Sequence, residues 1–154
     1  MSKPTGTVHL HRILKAPVER VYRAFTDKSA LEYWSPPYGF TGTIHRINVR
    51  EGGGYNMSFN NFTTGSSHSF TVEYVEIVPN ERIRHKDSFD DGPMNEVMDV
   101  LVTFRPVACG TELRIEQAGI PAEIPVEFCY AGWQESLAQL ANLVEPDVPD
   151  FPEE

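Results

Sequence analysis

Hydrophobic positions along this chain alternate between two periods, and the switches divide it into elements. Residues Thr7 to Lys15 are rich in β-branched and aliphatic types and stop at Ala16-Pro17, which predicts a strand running into a helix that proline opens. Val18, Val21, Tyr22 and Phe25 then recur at i, i+3, i+4 and i+7, one face of a helix. Asp27 reads as a fresh N-cap for a second short helix that turns Ala30, Leu31 and Trp34 inward. Ser35-Pro36-Pro37 ends it, because proline disfavours helical geometry at and before its own position.

From Thr41 to Gln117 the helical period is gone, and short segments alternate with turn signals as in an antiparallel meander. Gly52-Gly53-Gly54 turns the chain into the clearest strand, where Tyr55, Met57 and Phe59 alternate with Asn56 and Ser58. One face is therefore apolar and the other wet, as in a sheet covered on one side. Phe70, Val72 and Tyr74 repeat the alternation, but Val75 and Ile77 shift it by one, which predicts a β-bulge and a bent strand. Pro79-Asn80 turns into Glu81 to Phe89, and Asp90-Asp91-Gly92-Pro93 forms a loop. Met98, Val100, Val102 and Phe104 point inward again, and Cys109-Gly110 closes the last hairpin into Leu113 and Ile115.

After Pro121 the period returns to 3.6: Val126, Cys129 or Tyr130, Trp133, Leu137, Leu140 and Val144 mark one long helix. Gly132 sits in its middle, where glycine costs about 1 kcal/mol against alanine, so a close approach of helix to sheet is expected there. The acidic, proline-rich tail EPDVPDFPEE has little to bury and is expected to be mobile or draped on the surface. The expected architecture is thus α+β. A curved seven-stranded antiparallel sheet, with two short helices after its first strand, closes over a long C-terminal helix in one domain, residues 1–145, followed by the tail 146–154.

Composition narrows the function classes. A chain of 154 residues is long enough to bury roughly two-thirds of its unfolded surface without staples. Thirteen basic against twenty-two acidic side chains give a net charge of −9, which disfavours nucleic acid and anionic lipid as partners. No window approaches the ~18 apolar residues of a membrane span, and the N-terminus lacks a signal-peptide core, so no membrane insertion is expected. Cys109 and Cys129 show neither paired nor metal-ligand spacing, which fits a reducing, cytoplasmic compartment.

Several short segments together resemble the START-like, or SRPBCC, superfamily, and within it the bacterial proteins related to activators of the heat-shock-protein-90 ATPase. They are Ala16-Pro17, Trp34-Ser35-Pro36, Asn48-Val49-Arg50-Glu51-Gly52-Gly53, the run EYVEIVPNERI from Glu73 to Ile83, Gly110-Thr111 and Gly132-Trp133. The resemblance spans nearly the whole chain. It implies a helix-grip fold with a cavity between sheet and helix, used across the superfamily for lipids, sterols, polyketides and plant hormones. Two departures stand out: Asn48 replaces an aspartate common in the family, and the segment after Arg82 reads IRHKDSF instead of an aliphatic and aromatic run.

That second departure puts polar groups on the concave face. His85 and Asp87 share parity with Ile83, and His68 shares it with Phe70 and Tyr74. They are candidates to orient a ligand, or for His85 to act as a general base helped by Asp87. Residues at i and i+2 of a strand stand about 6.6–7 Å apart, too far for a hydrogen bond unless the side chains lean together. Trp34, Tyr55, Met57 and Phe59 join them as candidate pocket walls, with Phe128 and Trp133 from the helix. His9, His11 and His45 read as solvated strand residues without metal-ligand spacing, so no metal and no cofactor is expected. Ser136 lacks a nucleophile elbow, Cys129 lacks a neighbouring base, and Gly52-Gly53-Gly54 precedes a strand, unlike a phosphate loop.

The leading expectation is a non-catalytic protein that binds a small apolar or aromatic ligand. A polyketide-cyclase-like or hydrolase-like enzyme using His85 and Asp87 is the second reading. A co-chaperone-like interaction module is the third; that role in the family goes with an additional N-terminal domain, and this chain begins at its first strand. A homodimer and a chaperone partner both remain open at this point.

Overall fold

The computed structural model describes residues 5–92 and 96–151. Pro93 of the expected loop and residues 152–154 of the expected tail lie outside the described residues. Strand β1 (Thr5–Leu14) is followed by helices α1 (Val18–Ala24) and α2 (Lys28–Trp34). Six strands come next: β2 (Phe40–Asn48), β3 (Gly54–Asn61), β4 (Ser67–Val78), β5 (Arg82–Phe89), β6 (Met98–Val107) and β7 (Gly110–Pro121). Helix α3 (Val126–Val144) ends the ordered elements. The sheet has seven strands in the order β1-β7-β6-β5-β4-β3-β2, with every pairing antiparallel. This is the expected helix-grip arrangement: a meander from β2 to β7, with β1 added beside β7.

Local chemistry sets the first corner. Pro17, at φ −65°, is the N-cap of α1, which buries Val18, Val21 and Ala24. Asp27 accepts from the Ala30 N–H at 2.9 Å and so starts α2, which buries Leu31 and Trp34. The Trp34 indole donates to the Ala24 carbonyl at 2.8 Å, and its ring lies 4.7 Å from that of Phe25. This satisfies the one polar group of a side chain that is otherwise wholly apolar and buried.

The expected bulge is present. The β4–β5 register slips between Tyr74 and Glu76, leaving Val75 looped out and 42% exposed, so Ile77 alone carries the shifted inward phase. A second slip, which the pattern did not predict, lies between Ile44 and Arg46 in the β2–β3 pairing. Bulges of this kind increase the local twist and bend the strand that carries them. Asn80 takes the left-handed conformation, φ 62°, in the Pro79-Asn80 turn.

Helix α3 is not buried evenly. Ser136, Leu137, Leu140, Ala141 and Val144 are buried, all in its C-terminal half, where the apolar ones join the main core with Leu14, Val21 and Leu113. Its first half leans on a separate small cluster around Val8, Met98 and Ile120, with Val126, Cys129, Tyr130 and Trp133 only partly buried. The predicted stripe is correct in period, but its N-terminal half does not close onto the central strands. A gap is left there.

Candidate functional site

That gap is a cavity of about 290 Å³ between the concave face of the sheet and the first half of α3. Tyr55 and Phe59 reach it from β3, Phe70 and Tyr74 from β4, His85 and Asp87 from β5, and Gly132 and Trp133 from α3. Trp34 and Pro37 close the side next to α2. Most of the apolar side chains in the wall are aromatic. Phe59 and Phe70 meet edge to face at 5.0 Å, and Tyr55 stands 6.0 Å from Tyr74, so the rings hold one another in place. Towards solvent the cavity reaches exposed Phe89 and His68.

Polar groups are few in this wall, and most have partners. The Trp133 indole donates to Gln117 Oε1 at 2.8 Å, and Ser136 Oγ donates to the Ser35 carbonyl at 2.7 Å. His85 and Asp87 do lean together: Nδ1 of one lies 2.5 Å from Oδ1 of the other, and their side chains are 13% and 18% exposed. Tyr74 is different. It is 1% exposed, stands opposite His85 in the β4–β5 register with its ring 6.3 Å away, and its hydroxyl has no hydrogen-bond partner among the described residues. Burial pushes the Tyr74 phenol up from its ordinary value, with Tyr22 and the Asp87 carboxylate adding to the effect. Burial and then Asp87 push Tyr55 up in the same direction. Both phenols are thus neutral hydrogen-bonding groups at physiological pH.

Nine of the residues singled out from sequence line the cavity: Trp34, Tyr55, Phe59, His68, Phe70, Tyr74, His85, Asp87 and Trp133. His68 does so only at the mouth, where its side chain is 65% exposed and its Nδ1 lies 3.8 Å from Asp91. Two fall elsewhere. Met57 has the right parity but is wholly buried core, packed beneath the end of α2 with its sulfur 3.6 Å from Ser35 Oγ. Phe128 is 71% exposed, because its position in the first turn of α3 faces away from the sheet. The expectation for Gly132 is also corrected: a Cβ placed there meets nothing within 4 Å, so this glycine widens the cavity and marks no close contact.

Gln117 is the lining residue that the sequence pattern should have offered and did not. It follows Leu113 and Ile115 in inward phase, and a glutamine in that phase is the signal. Among the described residues no three His, Cys, Asp or Glu side chains gather as a metal site would require. His11 instead pairs with Glu112 at 2.9 Å and His45 with Ser58 Oγ at 2.7 Å, both outside the cavity. Burial raises the Cys129 thiol above its ordinary value, the opposite of what an activated nucleophile needs.

The family model described as Activator of Hsp90 ATPase homolog 1-like protein matches residues 15–145 of this sequence. The chain belongs to that family. This also places it in the START-like superfamily that the sequence motifs resemble. A crystal structure of a protein from Chromobacterium violaceum is 51% identical, covers 92% of this chain and 99% of its own, and superposes with a TM-score of 0.87. The solution structure of an AHSA1-like protein from Aeromonas hydrophila shares the fold at 19% identity, with a TM-score of 0.75 over 91% of this chain and 92% of its own. Among curated relatives, the mouse activator of 90 kDa heat shock protein ATPase homolog 2 is 28% identical over 145 residues. Homolog 1 from the same organism is 28% identical over 131 residues. The chain covers 92% and 85% of itself in these matches but spans only 39% and 34% of the relatives' length. No helix among the described residues is long and apolar enough to cross a membrane.

Proposed function

We propose that this member of the Activator of Hsp90 ATPase homolog 1-like family binds a small apolar or aromatic molecule in the cavity between its sheet and α3. The observation that carries this reading is the cavity itself. It has about 290 Å³ of space inside an apolar wall rich in aromatic rings, and α3 meets it with a glycine where a helix ordinarily carries a side chain. Interiors pack nearly without voids, so a space of this size held open by interlocked aromatics fits a ligand site better than a packing defect. Saturating ligand raises the melting temperature by mass action, about 2.7 kcal/mol of added stability at a hundredfold excess over Kd. Thermal-shift screening against fatty acids, sterols, aromatic polyketides and flavonoids therefore tests the reading. A saturable shift confined to one class supports it; the absence of any shift across all four classes counts against it.

A second reading is favoured by the mouse relatives, whose names describe activators of a heat-shock ATPase. Under it the chain docks on a chaperone of that class, and the cavity is incidental. Addition of the purified chain to such a chaperone would then raise the rate of ATP hydrolysis. An unchanged rate alongside a ligand-induced thermal shift separates the two.

A further inference from the structure

The cavity stops part-way along α3, and the end that stops it is firmly built. Cys129, Gly132, Trp133 and Ser136 line it as one stripe of two helical turns, about 10 Å long. Ser136 is buried, and its Oγ donates to the Ser35 carbonyl at 2.7 Å. On the α2 side, Trp34 is held by its hydrogen bond to the Ala24 carbonyl and by the Phe25 ring at 4.7 Å. Beyond this end Leu137, Leu140, Ala141 and Val144 are packed into the main core. Lengthening the cavity under the second half of α3 would mean unpacking that core, which a close-packed interior resists.

The other end is open. Phe89 and His68 stand exposed there, so whatever exceeds the cavity emerges into water beside them. Capacity therefore follows from volume. An apolar cavity of about 150 Å³ holds a single benzene ring. At about 290 Å³ this one has about twice that space, room for two rings. Two fused rings also suit the length of the α3 stripe, whereas a four-ring skeleton or a long acyl chain exceeds it. Part of the space lies against Gly132, where a Cβ meets nothing within 4 Å.

We infer that this is a two-ring site: it encloses a fused bicyclic ligand and leaves a third ring, or the greater part of a sterol or long acyl chain, in water, with Gly132 setting the limit. This rests on the cavity-binding reading and adds to it the size of ligand that the cavity takes. The test uses the full chain and three probes that differ by one fused ring each: pyridine, quinoline and acridine. They are titrated by ligand-observed NMR at mildly alkaline pH, where all three are neutral. Quinoline is expected to bind roughly thirtyfold tighter than pyridine, because its second ring is buried, and acridine within roughly threefold of quinoline, because its third ring is not. Gly132→Leu fills the space beside the helix and should remove most of quinoline's lead while sparing pyridine, whose retained binding shows that the variant is folded. Gly132→Ala adds one carbon into open space and favours the helix, so it folds in any case; it should weaken quinoline roughly threefold more than pyridine. A gain from quinoline to acridine as large as the first would overturn the two-ring limit and leave the cavity reading standing. So would quinoline binding no tighter than pyridine, or quinoline binding undiminished in both variants. Failure of all three probes to bind up to their solubility would overturn the cavity reading and the limit together.

Discussion

His85 Nδ1 stands 2.5 Å from Asp87 Oδ1, although the two residues project from alternate positions of one strand and their backbones are separated by a full pleat. Both side chains have to tilt along β5 to meet, and each gives up most of its contact with water, at 13% and 18% exposure. The pair should therefore act as one unit. His85→Ala leaves a mostly buried carboxylate without this donor and is expected to cost about 1–3 kcal/mol of stability. Asp87→Asn in the same background should restore part of it. A double-mutant cycle in urea would then show a coupling energy of at least about 0.5 kcal/mol, while additive losses would mean that the two side chains do not stabilise each other.

Gly132 offers the converse experiment, in which a side chain is added. It lies in the interior of α3, and a Cβ there points into open space. Gly132→Ala should raise stability by about 1 kcal/mol through helix propensity alone. Gly132→Leu should keep much of that gain while its branched end occupies the cavity and blocks any ligand found by thermal shift. A lower melting temperature for the alanine variant would show that the space is not there.

Gln139 ties α3 to the end of α2. Its amide donates to the Trp34 carbonyl at 3.0 Å and to the Pro36 carbonyl at 2.6 Å, satisfying the end of α2 where prolines forbid another turn. Gln139→Ala orphans both carbonyls and is expected to cost about 1–3 kcal/mol. Gln139→Glu replaces the donor with an acceptor and should cost more at neutral pH. Hydrogen exchange should accelerate around Tyr38 and Phe40 in both variants; a purely global loss of protection would argue against a local latch.

What was legible in the sequence follows from which physical signal each residue carries. The Asp27 cap, the Tyr74–Glu76 bulge and the inward phase of β3 to β7 each rest on one local rule, and each appears in the fold. Parity alone could not separate Tyr55 from Met57. Both face inward from β3, and only the placement of α2 over Met57 makes one core and the other wall. Gly132 misled for a similar reason: a mid-helix glycine reads the same whether a sheet or a void faces it. Gln139 carries no pattern at all, since its role depends on a loop 103 residues earlier.

Glu112 gives a pH signature remote from the cavity. On the outer face of the sheet its carboxylate accepts from Arg105 Nε at 2.9 Å and contacts His11 Nε2 at 2.9 Å, with Arg114 at 3.5 Å. The Arg105 hydrogen bond first, then that of His11 and the charges of both arginines, pull it from 4.5 to about 2. A carboxyl depressed in the folded state adds stability that is complete above about 4.5 and disappears as the pH falls through about 2. Glu112→Gln should therefore unfold more easily than the parent at neutral pH, with the difference closing across that acid window. Because Arg105 is 68% exposed, the difference should also shrink in high salt. If the gap measured by chemical denaturation stayed constant down to the acid end and was indifferent to salt, the loss would come from packing of the side chain and not from its charge.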